Sequence, residues 1–271
     1  MDTTRNEIRP GTWNELQDCL FHDSYDERLM RYRSGYVYRG VADVSWELAT
    51  SLSRLGGDYD QLEKHILRNF KKYARTPTLP GLSNWNWLAM AQHHGLPTRL
   101  LDWTYSPYVA LHFATSDLTK FDRDGSIFCV NYVKTNQYLP GGLLKVINEE
   151  GSNTFTAGML DSVCETLAEL EGMSLDPFVM FLEPPSLDER ITNQYALFSL
   201  MSNSRAELGS WLGKNSELYF KIIIPRELKW EIRDKLDQAN ITERVLFPGL
   251  EGLSQWLKRL YSPKNPSTIH F

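Results

Sequence analysis

Three short stretches hold the side chains with the widest chemical reach. Tyr38-Arg39-Gly40 sets a guanidinium at the end of a predicted strand, directly before a residue with no side chain. A planar guanidinium there can grip a phosphate or a carboxylate through two parallel hydrogen bonds, while glycine lets another backbone come close. The structural alternative is an ion pair, with Asp102 the candidate partner. The run Trp87–Ala114, WLAMAQHHGLPTRLLDWTYSPYVALHFA, places His93, His94, Arg99, Asp102 and Thr104 in an apolar frame. Each polar group in such a frame must find a partner or destabilise the fold. Gln194, in RITNQYALFSL, carries an amide that can hydrogen-bond a sugar hydroxyl but cannot act as a general base. Glu189 and Arg190 beside it read as a solvated pair.

His93 and His94 are neighbours, so on a helix they diverge by about 100° and do not easily share one metal ion. No HxxxH or HExxH spacing occurs, and no metal site is expected. One histidine is read as a hydrogen-bonded interior residue in preference to a catalytic one. Arg99, Asp102 and Thr104 are read as lying in a loop between two helices. If that loop is extended, Asp102 and Thr104 share a face and look into one cleft. Their structural alternative is to bond orphan amides at the start of the next helix. Walker A, GxSxG and GxGxxG patterns do not occur.

The positioning elements follow from periodicity and caps. Thr12 caps a helix through WNELQDCLFH, and Tyr36–Arg39 forms a strand. A helix runs from Asp60 to Arg75, with Glu63 completing its capping pattern. Trp85–His94 is a helix stopped by Gly95 and Pro97, and Ser106-Pro107 opens the next. Ser126–Val133 reads as a strand and Leu160–Leu170 as one helix. Three strands, Phe178–Leu182, Tyr195–Met201 and Leu218–Ile224, precede two closing helices, Arg226–Gln238 and Leu250–Tyr261. Regular β-α-β alternation does not occur, so the expected fold is α+β. It is a single domain over residues 1–271, its core running from about Thr12 to Tyr261, with a mixed or antiparallel β core packed by helices.

Composition narrows the function classes. A hydrophobic fraction of 42%, a charged fraction of 23% and a net charge of −5 fit a soluble globular protein. The acidic balance argues against non-specific binding to a phosphate backbone but leaves room for a local basic groove. No run is long enough to span a bilayer, and MDTTRNEIRP lacks the apolar core of a signal peptide. Cys19, Cys129 and Cys164 are odd in number and widely spaced, so reduced thiols in a cytoplasmic protein are expected. Eight tryptophans and thirteen tyrosines suit base stacking, although most will be core.

These segments resemble the FRG domain family. The aromatic-Arg-Gly motif reads Tyr38-Arg39-Gly40, and similarity continues through YRGVADVSWELATSLSR and the run WLAMAQHHGLPTRLLDWTYSPYVALHFA. DERITNQYALFSL (Asp188–Leu200) is similar to a later Arg-Ile-x-x-Gln element, and LFPGLEGLSQWL to the closing segment. A second, shorter resemblance is to mono-ADP-ribosyltransferases. Their order is aromatic-Arg-Gly, a polar Ser-Thr-Ser strand, an Ala-x-x-Phe-Ala helix and a catalytic glutamate before an apolar strand. Here it is Tyr38-Arg39-Gly40, Leu101–Thr104, Ala110–Ala114 and Gln194 before Tyr195–Met201.

That second resemblance implies roles residue by residue. Arg39, flanked by Tyr38 and Gly40, would bind the pyrophosphate or adjoining ribose of NAD. Thr104 with Asp102 would brace the nicotinamide ribose, and His93 would contact the nucleotide. Gln194 stands at the glutamate position, where an amide keeps the hydrogen bond but loses the charge, a term often worth about 3–4 kcal/mol. Either His94, His93 or Asp102 takes over a catalytic role, or NAD is not turned over. The implied function is an NAD-dependent ADP-ribosyltransferase-like enzyme with a protein or nucleic-acid acceptor, of the kind found in bacterial effectors and antiphage toxins. The other implied reading is a non-catalytic module that binds a nucleotide or a nucleic-acid end.

Overall fold

Alternation along the strands sorts their side chains between two apolar layers. The computed structural model describes residues 6–74, 81–186 and 188–264. In chain order the strands are β1 (Glu7–Ile8), β2 (Tyr25–Asp26), β3 (Arg31–Tyr32), β4 (Tyr36–Val41), β5 (Leu101–Thr104), β6 (Gly125–Asn131), β7 (Val179–Leu182), β8 (Ala196–Met201) and β9 (Tyr219–Ile224). Seven of them form one sheet of order β1-β9-β6-β4-β5-β8-β7, antiparallel except for the β1–β9 pair; β2 and β3 form a separate hairpin. The fold is therefore α+β.

The helices before β6 are α1 (Trp13–Leu20), α2 (Tyr59–Tyr73), α3 (Asn84–His93) and α4 (Pro107–Ala114). Between β6 and β8 lie α5 (Tyr132–Thr135), α6 (Gly141–Glu150), α7 (Ala157–Asp161), α8 (Leu167–Glu171) and α9 (Glu189–Asn193). After β8 come α10 (Leu208–Lys214), α11 (Lys229–Gln238), α12 (Glu243–Leu246) and α13 (Leu250–Leu260).

On one face, Tyr36 and Tyr38 of β4, Ile127 and Cys129 of β6 and Ile222 and Ile224 of β9 pack under α1, α4 and α11. Phe198 and Leu200 of β8 with Met180 and Leu182 of β7 pack with Leu67 of α2, α3 and α6–α8. On the opposite face, Val37, Phe128, Trp103, Leu197 and Phe181 meet Leu208 and Leu212 of α10. β5 lies between the two helical covers of the first face. The register Tyr38↔Thr104, Asp102↔Phe198 and Thr104↔Ala196 puts Asp102 and Thr104 on that face, at the gap between covers.

Close packing of α4 on β4 explains Gly40. A Cβ there would lie 1.8 Å from the Ala110 carbonyl oxygen, so only glycine permits this approach. Thr12, Ser83 and Ser106 cap α1, α3 and α4, each accepting from a backbone amide three residues on, and Pro107 occupies the first turn of α4.

Several sequence expectations are corrected. Residues 101–104 are a strand inside the sheet and not a loop. Glu63 does not cap α2; it is buried and takes Arg99 Nε at 2.8 and 2.9 Å, while Arg99 Nη1 donates to the Ser202 carbonyl. Arg75, at the end of the predicted second helix, lies outside the described residues. The strand from Ser126 ends at Asn131, whose side chain caps α5. The single helix expected over Leu160–Leu170 is two short ones, α7 and α8, the second started afresh by Thr166. Arg226–Leu228 is a 3-10 turn leading into α11. The three cysteines are free. Among the described residues no helix is long and apolar enough to cross a membrane.

Candidate functional site

The gap over β5 is a cleft of 690 Å³. Tyr38, Arg39, Gly40, His93, His94, Asp102, Thr104 and Gln194, singled out from sequence, all line it. A larger cavity of 920 Å³ opens on the opposite face of the sheet, beside Trp46, Phe128 and Lys221. Of the residues singled out, only Arg99 reaches that cavity, and its guanidinium is committed to Glu63. The chemistry therefore centres on the cleft.

Arg39 enters where the sheet opens. β4 and β5 pair only at Tyr38↔Thr104, whereas continued pairing would set Gly40 opposite Asp102. The Asp102 carbonyl instead accepts from Arg39 Nη1 at 2.6 Å. The Asp102 carboxylate stands 3.8 Å from Nη1, a loose ion pair, and buried Nε has no partner among the described residues. Burial lowers the Arg39 pKa, Asp102 opposes that shift and the nearby Arg54 adds to it. The guanidinium thus retains donor capacity in a partly desolvated place, where a bound anion is favoured.

Gln92, at the end of α3, fixes the carboxylate. Its Nε2 donates to Asp102 Oδ2 at 3.0 Å, and its Oε1 accepts from Thr98 Oγ1 at 2.6 Å. The Thr98 amide donates to Ser51 Oγ, tying the relay to the wall that carries Arg54. Gln92 and Thr98 were not singled out from sequence. Nothing in QHHGLPTRLLD marks them, because the relay depends on α3 turning back onto β5.

His93 is largely buried, and its Nε2 lies 2.6 Å from Asp188 Oδ2. Asp188 also caps α9 through the Ile191 amide. Partial burial raises its pKa, but the Ile191 amide and His93 outweigh this and hold the carboxyl below its ordinary range. A histidine oriented by a carboxylate has one nitrogen committed and the other available as a proton acceptor. His94 is exposed on the rim, its ring edge-on to His93 at 5.2 Å. The expected interior histidine with a hydrogen-bond partner is His93.

Thr104 and Gln194 are more tightly committed than expected. Thr104 Oγ1 donates to the Gln194 carbonyl at 2.7 Å and accepts from the Ser106 amide at 3.0 Å, so the buried hydroxyl positions the cleft floor. Of the capping roles considered for Asp102 and Thr104, only Thr104 touches an amide near the next helix. Gln194 Nε2 donates to the Leu246 carbonyl at 3.0 Å, and Asn193 Nδ2 to the Val245 carbonyl at 2.8 Å, docking α9 on α12. Gln194 Oε1 accepts no hydrogen bond among the described residues. Tyr195 then turns the chain into β8 with a left-handed φ of 48°, a conformation that costs a non-glycine residue on the order of 1–3 kcal/mol. It is held by the Tyr105 amide on its carbonyl and by ring contact with Tyr105 at 4.8 Å.

Two more cations complete the cleft. Arg54 donates to the Ala49 carbonyl, and Arg190 lies over the Phe247 ring with its carbon 5.1 Å from the centroid. Neither has a carboxylate within ion-pair distance among the described residues, so Arg190 is not paired with Glu189 as expected. Three arginines and two histidines thus face one lining carboxylate, Asp102, in a chain of net charge −5. Among the described residues no group of three or more His, Cys, Asp or Glu could hold a metal ion.

Comparison with known proteins adds one finding: residues 34–123 match the model of the FRG domain. No curated protein and no solved structure matches the chain.

Proposed function

We propose that this protein, which carries an FRG domain, binds a phosphate-bearing nucleotide in the β5 cleft and acts on NAD in the manner of an ADP-ribosyltransferase. The observation that carries the reading is the concentration of Arg39, Arg54 and Arg190 around an uncovered strand, against the acidic balance of the rest of the chain. A volume of 690 Å³ lies within the range of about 300–1,000 Å³ typical of small-molecule sites. The arginines take the pyrophosphate, and Gln194 Oε1 accepts from a ribose hydroxyl. As the bond to nicotinamide breaks, positive charge develops on the ribose, and Asp102 is the carboxylate available to stabilise it. His93, oriented by Asp188, accepts the proton of the incoming nucleophile on the acceptor, which is a protein or a nucleic acid.

A second reading, a non-catalytic nucleotide-binding module, is favoured by the commitment of the Gln194 amide to the Leu246 carbonyl. Nicotinamide release and thermal stabilisation by NAD, each measured with Arg39→Ala alongside, separate the readings. Release that disappears in the variant supports the enzyme. Stabilisation without release supports the binding module. Neither effect at millimolar NAD overturns the nucleotide cleft.

A further inference from the structure

Tyr195 holds a backbone conformation that its side chain does nothing to favour. Its amide donates to the Thr192 carbonyl at 3.0 Å, closing α9, and its φ of 48° is the left-handed one on which helices commonly end with glycine. A bulky residue rarely adopts it. Burial does not offset this, since Tyr195 is 60% exposed. The ring does rest against another. It lies 4.8 Å from the Tyr105 ring at an angle of 49°, and Tyr105 in turn meets Tyr132 at 5.6 Å and 76°. Backbone strain kept for a side chain that the core hardly uses points to a use outside the fold.

Tyr105 and Tyr132 are half-buried, and Phe181 backs Tyr132 edge-on at 6.1 Å. The inner two rings are thus fixed while the outer one is offered to solvent. The charge beside them is Glu183, whose Oε1 accepts from buried Thr154 Oγ1 at 2.5 Å. Among the described residues no cation lies within ion-pair distance of that carboxylate. Burial raises the pKa of both Tyr105 and Tyr132, and Glu183 raises each further with no cation in opposition. Negative ring faces beside an unpaired carboxylate favour a cation and repel a phosphate. Rings inclined at 49° and 76° to Tyr105 cannot all lie flat against a planar guanidinium, whereas a compact ammonium has no plane to match. None of the three tyrosines lines the cleft or the cavity on the opposite face. An open surface of this kind suits a side chain projecting from another protein better than a free small molecule.

We infer that Tyr105, Tyr132, Tyr195 and Glu183 form a docking site for a lysine side chain of a partner protein. Tyr195 follows Gln194 directly, so the partner would lie beside the cleft, but the site does not depend on the nucleotide reading. The test is an NMR titration of the full chain carrying 13C-labelled tyrosine. The probes are Nα-acetyl-lysine methylamide and its norleucine counterpart, which lacks only the ammonium group. The lysine probe should shift the Tyr195 and Tyr105 signals and half-saturate at a concentration at least about fivefold below that of the norleucine probe. Glu183→Gln should remove most of that preference. Tyr195→Gly should abolish the response of Tyr105 while leaving the melting temperature unchanged or higher, because glycine adopts the left-handed conformation freely. Equal responses to the two probes overturn the inference, as does the lack of any response at about 50 mM. A preference that survives Glu183→Gln overturns the role of the carboxylate. A lower melting temperature in Tyr195→Gly would show that the ring serves the fold, and would overturn the argument from strain.

Discussion

The cleft over β5 and the ion cluster beneath α13 contain similar side chains arranged to opposite effect. Beneath α13, Arg233, Arg259, Glu243 and Asp237 answer one another within 2.6–3.6 Å, and His112 Nδ1 accepts from Arg233 Nη1 at 2.9 Å. In the cleft, Arg39 holds a backbone carbonyl and a loose carboxylate, while Arg54 and Arg190 hold no carboxylate among the described residues. In the first set the cationic charge is matched by carboxylates within the fold, although Arg233 Nε and His112 Nε2 have no partner among the described residues. In the second the cationic charge is largely unmatched, and that surplus makes it the candidate binding surface. Counting arginines would not separate the two; their partners do.

The comparison breaks most visibly at Arg259. Replacing it with alanine strands Glu243 and Asp237 and is expected to cost about 3–5 kcal/mol, measured by urea unfolding. A loss below about 1 kcal/mol would mean that the cluster is solvated and no different in kind from the cleft.

Acid titration comes next. Burial, reinforced by Arg233, lowers the His112 pKa from its ordinary 6.5 to about 3. The unfolded chain therefore takes up a proton near pH 6.5 that the folded chain refuses until about pH 3. Stability from this group is complete above pH 6.5 and declines as pH falls toward 3, by about 1.4 kcal/mol per pH unit. Burial raises the Glu243 pKa, but Arg259 and Arg233 outweigh it and bring the value from 4.5 to about 2, so its contribution is lost only below pH 4.5. His112→Gln should flatten the slope between pH 6.5 and 4.5. An unchanged slope in unfolding experiments across that window would show that His112 titrates normally.

Arg39→Ala should behave in the reverse sense to Arg259→Ala. NAD affinity falls by about 10- to 100-fold, the worth of a charge-assisted contact, while the melting temperature without ligand moves little. Calorimetric titration and a thermal melt on the same sample check both halves. The smallest effects belong to Arg54→Ala and Arg190→Ala. Each should weaken binding by a few fold, less so at high salt, with stability within about 0.5 kcal/mol of wild type. If either destabilises as Arg259→Ala does, that arginine belongs with the structural set.

Legibility from sequence followed the range of the interactions. Thr12, Ser83 and Ser106 sit within three residues of the amides they cap, and the helices they start were readable or nearly so. The cleft residues were readable as a set because Arg39, His93, Asp102 and Gln194 are polar types at the ends of apolar runs. What was missed joins distant parts of the chain. Glu63 looked like a cap because its partner Arg99 lies 36 positions on. His112 looked like one more member of ALHFA, since Arg233 is 121 positions away. β5 was hidden by its length of four residues between two helices, and only its neighbours β4 and β8 make it a strand. Leu160–Leu170 kept apolar spacing across a break, which periodicity alone cannot distinguish from continuity.

The strand order also fixes when this chain can fold during its synthesis. β4 and β5 are made before the strands that flank them, share a single paired position, and take their remaining neighbours, β6 and β8, from later sequence. At roughly 5–20 residues per second, β4 waits on the order of ten seconds for β6 to emerge, and β5 waits longer for β8. During that interval the middle of the future sheet has open edges and only part of its core, α1 and α4, to pack against. A nascent chain halted before β8 would therefore be prone to aggregate, and translation must pass β8 before the cleft can exist.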